Sequence, residues 1–340
     1  MPVEAHRRER MVSLADFRTG VGLEIGPLHR KIIDKDDYDV RYVDVFDTET
    51  IKDHYRGDPA VDLDEIPELD FWLQTDSGEI LGLDEAAKGA APYSWAVASH
   101  VIEHVPDVIG WLGQLAVILD DDASLVLCIP DRRYSFDALR PPTTVGQMLQ
   151  ANHSGDTVPS IRAVYDHTRN AVYASAEELW AGTAAREQDR IHDLGYLHSQ
   201  LALVRDEGRY VDCHVWLFTP DEFAANVAEL GQLGVIDFYL DRIVPTERNE
   251  IEFYAVLKRL PRNLSADEID RIRAASVRRL VEPGSPAAAT PDNQPPAAPT
   301  PGDAPTQPAR PGAVWFELST SEVRLIGTKR RVINFLLRRK

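Results

Sequence analysis

The stretch Gly20-Val21-Gly22-Leu23-Glu24-Ile25-Gly26-Pro27-Leu28-His29-Arg30 sets the reading of the whole chain. Val21, Leu23 and Ile25 alternate with smaller or polar residues, and the run breaks at Gly26-Pro27. This pattern predicts a short buried strand ending in a turn with no bulky side chain at its apex. Glu24 interrupts the strand two places before the turn glycine, with no evident structural reason to be there. About 20 residues further on, Val40-Arg41-Tyr42-Val43 ends in Asp44. A strand, a glycine turn and an acid closing the next strand suggest a nucleoside-binding crevice. The glycine lets the backbone approach the ligand, and the acid accepts hydrogen bonds from ribose hydroxyls. A pyrophosphate binder would want glycines where Leu28 and His29 or Arg30 stand, so a dinucleotide is disfavoured.

With 340 residues, 44% hydrophobic and 27% charged, the chain can bury one sizeable core with an appendage. A formal charge of −18 argues against a nucleic-acid partner, which needs clustered Lys and Arg. No apolar run approaches the roughly 20 residues of a membrane span. Met1 to Arg10 carries charge with no apolar run behind it, so no leader is expected and the chain reads as cytoplasmic. Two cysteines, Cys128 and Cys213, make neither a disulfide framework nor a cysteine-based zinc site.

Working outward, residues 1–19 read as a polar lead-in of a helical turn or two. Thr48–Arg56 reads as a helix capped at Asp47-Thr48, Phe71–Leu73 as a short apolar run, and Tyr93–Ser99 as a strand. After Pro106-Asp107, apolar residues at Val108, Trp111, Leu112, Leu115, Ile118 and Leu119 keep the helical period until Asp120-Asp121-Asp122. Ser124–Ile129 reads as a buried parallel strand. Thr219-Pro220-Asp221-Glu222 starts another helix, and Val235–Val244 with Ile251–Lys258 reads as a closing antiparallel pair. The regularity fails between Asp131 and Asp212, where helices are expected near 174–206; so long an insertion is more often functional than idle. Leu264-Ser265-Ala266-Asp267 caps one more helix, running to about Val281, in the C-terminal helical segment 261–282. Residues 283–312, dominated by Pro, Ala, Thr and Gly, read as a disordered linker. Residues 313–340 carry seven bases against Glu317 and Glu322, with apolar Val332, Ile333, Phe335, Leu336 and Leu337 among them. Such a basic amphipathic tail suits an anionic membrane surface or a partner protein.

The first stretch, with its Leu-Glu-Ile-Gly-Pro, resembles motif I of class I S-adenosylmethionine-dependent methyltransferases. Ala98-Ser99-His100-Val101-Ile102-Glu103-His104-Val105, the Pro-Asp helix start and Leu125–Pro130 resemble motif IV to motif V of that family. The likeness runs in order over roughly 20–260 and looks closest to a bacterial subgroup tied to polysaccharide and cell-envelope assembly. The markers are Ser99–His104, Pro130-Asp131-Arg132-Arg133-Tyr134 and His214-Val215-Trp216-Leu217-Phe218-Thr219-Pro220. The resemblance implies an α/β, Rossmann-like, seven-stranded and mostly parallel sheet, with 131–212 as a helical lid. It implies S-adenosyl-L-methionine as cofactor. Glu24 and Gly26 would line the crevice beside methionine and ribose, Asp44 would hold the ribose, Asp76 would lie by the adenine, and Ser99 and His100 would face the sulfonium.

Methyl transfer to a hydroxyl needs a base within hydrogen-bond reach, and histidine is best placed near neutral pH. His100, His104 and Asp131 are the catalytic candidates. Arg132, Arg133, Tyr134, His167 and His214 are candidates for holding a small-molecule or glycan acceptor. His100 and His104 are four apart, which permits a divalent metal, but the sequence anchors no third ligand, and no metal is expected. The reading is O-methylation of a sugar or related hydroxyl in polysaccharide or envelope assembly, with the tail against the membrane or a glycosyltransferase. Two others stay open: N- or C-methylation of a natural product, and a cofactor-binding scaffold without catalysis.

Overall fold

The computed structural model describes residues 3–281. The expected linker at 283–312 and basic tail at 313–340 lie outside the described residues. Seven strands form one sheet: β1 Gly22–Ile25, β2 Val40–Asp44, β3 Phe71–Trp72, β4 Tyr93–Ser99, β5 Leu119–Pro130, β6 Phe238–Val244 and β7 Glu252–Arg259. Their order is β3-β2-β1-β4-β5-β7-β6, parallel throughout except that β7 runs against both its neighbours. The helices are α1 Val3–Val12, α2 Thr48–Tyr55, α3 Leu83–Ala86, α4 Val108–Ile118, α5 Val145–Ser154, α6 Ile161–Asn170, α7 Ala176–Trp180, α8 Leu194–Glu207, α9 Pro220–Gln232 and α10 Ala266–Val281. This is the Rossmann-like, seven-stranded and mostly parallel α/β sheet that the resemblance implies.

Alternation along the strands divides the core into two layers. Leu23 and Ile25 of β1, Ala96 and Ala98 of β4, Leu125 and Leu127 of β5, and Phe253 and Ala255 of β7 face one side. There they meet Leu112 and Leu115 of α4 and Phe223 and Val227 of α9. Trp95, Val97, Val126, Cys128, Tyr254 and Val256 face the other, where Met11, Phe17, Ile32 and Ile33 cover them. Gly22 is fixed by that second layer: a Cβ there would lie 2.1 Å from the Trp95 indole.

Three expectations are corrected. The lead-in is not a loose turn or two: α1 spans ten residues and buries Met11 in the core. α4 ends just before the acidic run, but Leu119, expected in the helical stripe, already belongs to β5, as do Asp120-Asp121-Asp122, and Arg259 and Arg262 hold Asp121. The insertion is helical from Val145 onward, well before residue 174, and α6 packs against α8. His214–Phe218 is buried, and among the described residues a bridge between Phe218 and Asp131 joins it to the sheet.

Candidate active site

The strand register builds the first half of the site. Ile25 pairs with Val43 of β2 and with Ala98 of β4. One step further, Asp44, Gly26 and Ser99 therefore stand abreast at the carboxyl ends of β2, β1 and β4, the edge at which such sheets bind ligands. Trp72 pairs with Asp44 on one flank and Cys128 with Ser99 on the other. Gly26 turns the chain at φ 66°, donating its N–H to the Val43 carbonyl at 2.9 Å, and a Cβ there would press on Val101 at 3.0 Å. Leu28 is also left-handed, at φ 41°, a conformation that glycine adopts more readily than leucine.

Glu24 does a different job from the one its place suggests. It is buried, and its two oxygens accept the N–H groups of Ile32 and Ile33 at 2.6 and 2.8 Å. Residues 26–39 form no helix, and this carboxylate takes the backbone donors that a helix would have satisfied within itself. Burial pushes its pKa up to about 7, against those two hydrogen bonds. Glu24 shapes the loop; it does not present a free oxygen to a ligand. Asp44 does. Its one hydrogen bond among the described residues is from the Val45 N–H at 2.6 Å, and burial pushes its pKa up to about 6. Asp76 stands apart, exposed at the tip of a hairpin closed by the Gly78 N–H to Thr75 carbonyl bond.

The second half is built from histidines. His100 follows Ser99 with φ 55°, a conformation rare for a non-glycine residue. Its N–H is held by the Cys128 carbonyl at 3.0 Å, and its Nε2 lies 2.7 Å from Glu252 Oε2. Glu252 is gripped in turn by both ends of the Arg7 guanidinium, at 2.8 and 2.7 Å, and by the Tyr254 hydroxyl at 2.9 Å. Burial works against the Glu252 charge, but His100 and Arg7 hold its carboxyl well below the ordinary range. His104 ends a single tight turn, Ile102–His104, and keeps 22% of its side chain exposed with Nδ1 3.0 Å from Asp212. Its pKa is raised: burial opposes the charge, and Asp212 outweighs it.

The remaining candidates divide sharply. Asp131 is fully buried, with its oxygens on the Arg133 backbone and guanidinium and on the Thr246 hydroxyl at 2.7 Å. It caps the turn at Arg132–Tyr134 and is no free base. Arg132 forks onto Glu222 at 3.1 and 2.9 Å, and Tyr134 stacks on Trp180 at 3.8 Å, so both brace the lid. His167 lies buried in α6, where its Nδ1 accepts from the His214 N–H at 3.2 Å; burial and Arg140 keep it neutral. His214 is buried too, its Nδ1 2.6 Å from Asp137, which also pairs with the fully buried Arg140. His167 and His214 belong to this polar lid core, not to an open acceptor surface. Glu252, Asp137, Asp212 and Arg140 are the partners that sequence reading missed. Only Glu252 left a trace, as an acid opening an otherwise apolar run.

Residues 14–186 match the family model described as a methyltransferase domain. The chain belongs to that family. The methyltransferase uses S-adenosyl-L-methionine as its methyl donor. No curated protein sequence matches it. Among solved structures it is similar to an S-adenosylmethionine-dependent methyltransferase from Listeria monocytogenes, at 11% identity and TM-score 0.38, over 75% of this chain and 97% of that one. A methyltransferase from Methanosarcina mazei gives 13% identity and TM-score 0.36, over 77% and 98%. The magnesium protoporphyrin IX methyltransferase of Synechocystis, with bound SAH, gives 11% and 0.31 over 76% and 82%. Overlaps at this level add nothing to the family match. Among the described residues no helix is long and apolar enough to cross a membrane.

Proposed function

We propose that this methyltransferase transfers its methyl group to a hydroxyl of a sugar or related small molecule in polysaccharide or cell-envelope assembly. The row at the sheet edge fits the donor. Asp44 offers a carboxylate with a single backbone partner to the ribose hydroxyls, and Gly26 keeps the turn low beside it. Ser99 and His100 close the row toward the reacting end. S-adenosylmethionine, when bound, supplies an electrophilic methyl on sulfur. What the chain itself must do is align the acceptor, exclude water and remove one proton.

The observation that carries the hydroxyl reading is the His100–Glu252 pair. An amine or a carbon nucleophile needs little or no base; a hydroxyl needs one in place. Glu252 accepts a hydrogen bond from the Nε2–H of His100 and so leaves the lone pair on Nδ1, 3.5 Å from Glu103. The left-handed turn at His100 sets this ring beside Ser99, at the end of the row that takes the donor. The lid from Asp131 to Asp212 excludes water.

The test is a labelled-methyl screen against nucleotide sugars and glycans, with His100→Ala beside wild type. Transfer to a hydroxyl, falling by about 10²–10⁴ in the variant while product-cofactor binding is unchanged, is the expected result. Transfer to nitrogen or carbon with His100→Ala unaffected would replace this reading.

A further inference from the structure

Glu103 has no role in the scheme above, and its surroundings are unusual. It is 1% exposed, and neither of its carboxylate oxygens makes a hydrogen bond among the described residues. A buried carboxylate without a hydrogen bond is costly, so it calls for a partner. The nearest side-chain nitrogens are His100 Nδ1 at 3.5 Å and His104 Nε2 at 4.0 Å. His214 completes the group: one ligand atom each from Glu103, His104 and His214 lies within 4.8 Å of the others.

We propose that Glu103, His104 and His214 bind one divalent transition-metal ion of zinc type. Two nitrogens and a carboxylate oxygen are the donor set such an ion takes, leaving a fourth position open. The outer partners match as well. His104 Nδ1 faces Asp212 at 3.0 Å and His214 Nδ1 faces Asp137 at 2.6 Å. A carboxylate on Nδ1 places the lone pair on Nε2 and raises its basicity, the arrangement that metal-ligating histidines use. The group is also held together by backbone. The Glu103 carbonyl accepts the Val215 N–H at 2.6 Å, and the Trp216 indole N–H reaches the Val105 carbonyl at 2.6 Å. His214 is thus fastened against Glu103 whatever the side chains do. Bonds of about 2.1 Å to a tetrahedral ion put ligand atoms about 3.4 Å apart, a contraction that side-chain rotation supplies. The sequence pointed to no metal because its third ligand lies 110 positions beyond His104.

The ion would tie the segment that closes the lid to the turn after β4. If the acceptor is a hydroxyl, which rests on the reading above, the open position would also acidify it next to His100. Binding of the ion is tested on the free enzyme, so it stands or falls apart from that reading.

Full-length protein stripped with a chelator is titrated with Zn²⁺ by calorimetry and with Co²⁺ by visible spectroscopy, without cofactor or acceptor. The expected result is one ion per chain, with the strong bands of low-coordinate cobalt. Affinity should fall about 100-fold or more in His104→Gln and in Glu103→Gln, and about 10–100-fold in Asp212→Asn. His153→Ala, at an exposed position on α5, should bind as wild type. His104→Gln is the informative variant if Glu103→Gln fails to fold, since His104 is partly exposed; its metal-free form should still unfold in one cooperative transition. No saturable binding to wild type, or equal binding in His104→Gln, overturns the proposal.

Discussion

The two halves of the site are built on opposite plans. On the β1–β2 side, two neighbouring strand ends bring one carboxylate and one glycine to the sheet edge, and the positioning forces are main-chain hydrogen bonds. On the β4–lid side, three histidines are each held by a carboxylate from far along the chain: His100 by Glu252, His104 by Asp212 and His214 by Asp137. The first plan is tolerant, because backbone geometry survives most side-chain changes. The second is brittle, because a buried ionic partner cannot be removed without stranding the other.

The largest effect should therefore come from the lid core. Asp137→Ala leaves Arg140 buried without its anion, and should cost about 3–5 kcal/mol in denaturant unfolding. A loss below about 1 kcal/mol would show the lid side to be no more brittle than the rest. Next comes Asp44→Ala, expected to weaken cofactor binding about 10- to 100-fold by calorimetry, as for a lost charged acceptor. The same residue sets a pH dependence. Its carboxyl titrates near about 6, and the anion is the stronger acceptor. Cofactor affinity should rise as pH goes from 5 to 7 and then level off, while Asp44→Asn stays flat. A wild-type profile without that rise would remove Asp44 from the ribose.

Glu24 should give a smaller effect of the opposite sign. Its pKa is raised by burial from 4.5 to about 7, so the folded chain binds a proton that the unfolded one releases. That contribution to stability is full below 4.5 and fades as pH rises through about 7. Glu24→Gln should abolish the slope and cost about 1–3 kcal/mol through the lost acceptor. Asp76→Asn should do least, within about 0.5 kcal/mol in stability and without change in cofactor binding. A clear loss of binding would bring the exposed hairpin tip into the crevice.

The same contrast explains what could be read in advance. The β1 turn, β2 with Asp44, β4 and α4 follow local periods of two and 3.6, and each signal lies within a dozen residues. The Thr219-Pro220-Asp221-Glu222 start is a capping box read from four letters, and the structure forms it. The lid helices hide for a physical reason. The face of α6 that is buried holds His167 and Thr168 beside Ala163 and Val164, so polarity no longer marks the outside. Glu24 and Asp131 show the converse: an acid at a functional-looking position can be occupied wholly by backbone and neighbouring side chains. No local pattern distinguishes such an acid from Asp44, whose second oxygen makes no hydrogen bond among the described residues.

The Arg7–Glu252 clasp adds a matter of timing. Its two residues are 245 positions apart. At about 5–20 residues per second of synthesis, the α1 arginine waits roughly 12–50 s for the glutamate that neutralises it and that also orients His100. The ring next to the donor row is therefore the last part of the site to be put in order on a growing chain. A chain stopped short of β7 would lack the carboxylate that fixes the His100 ring.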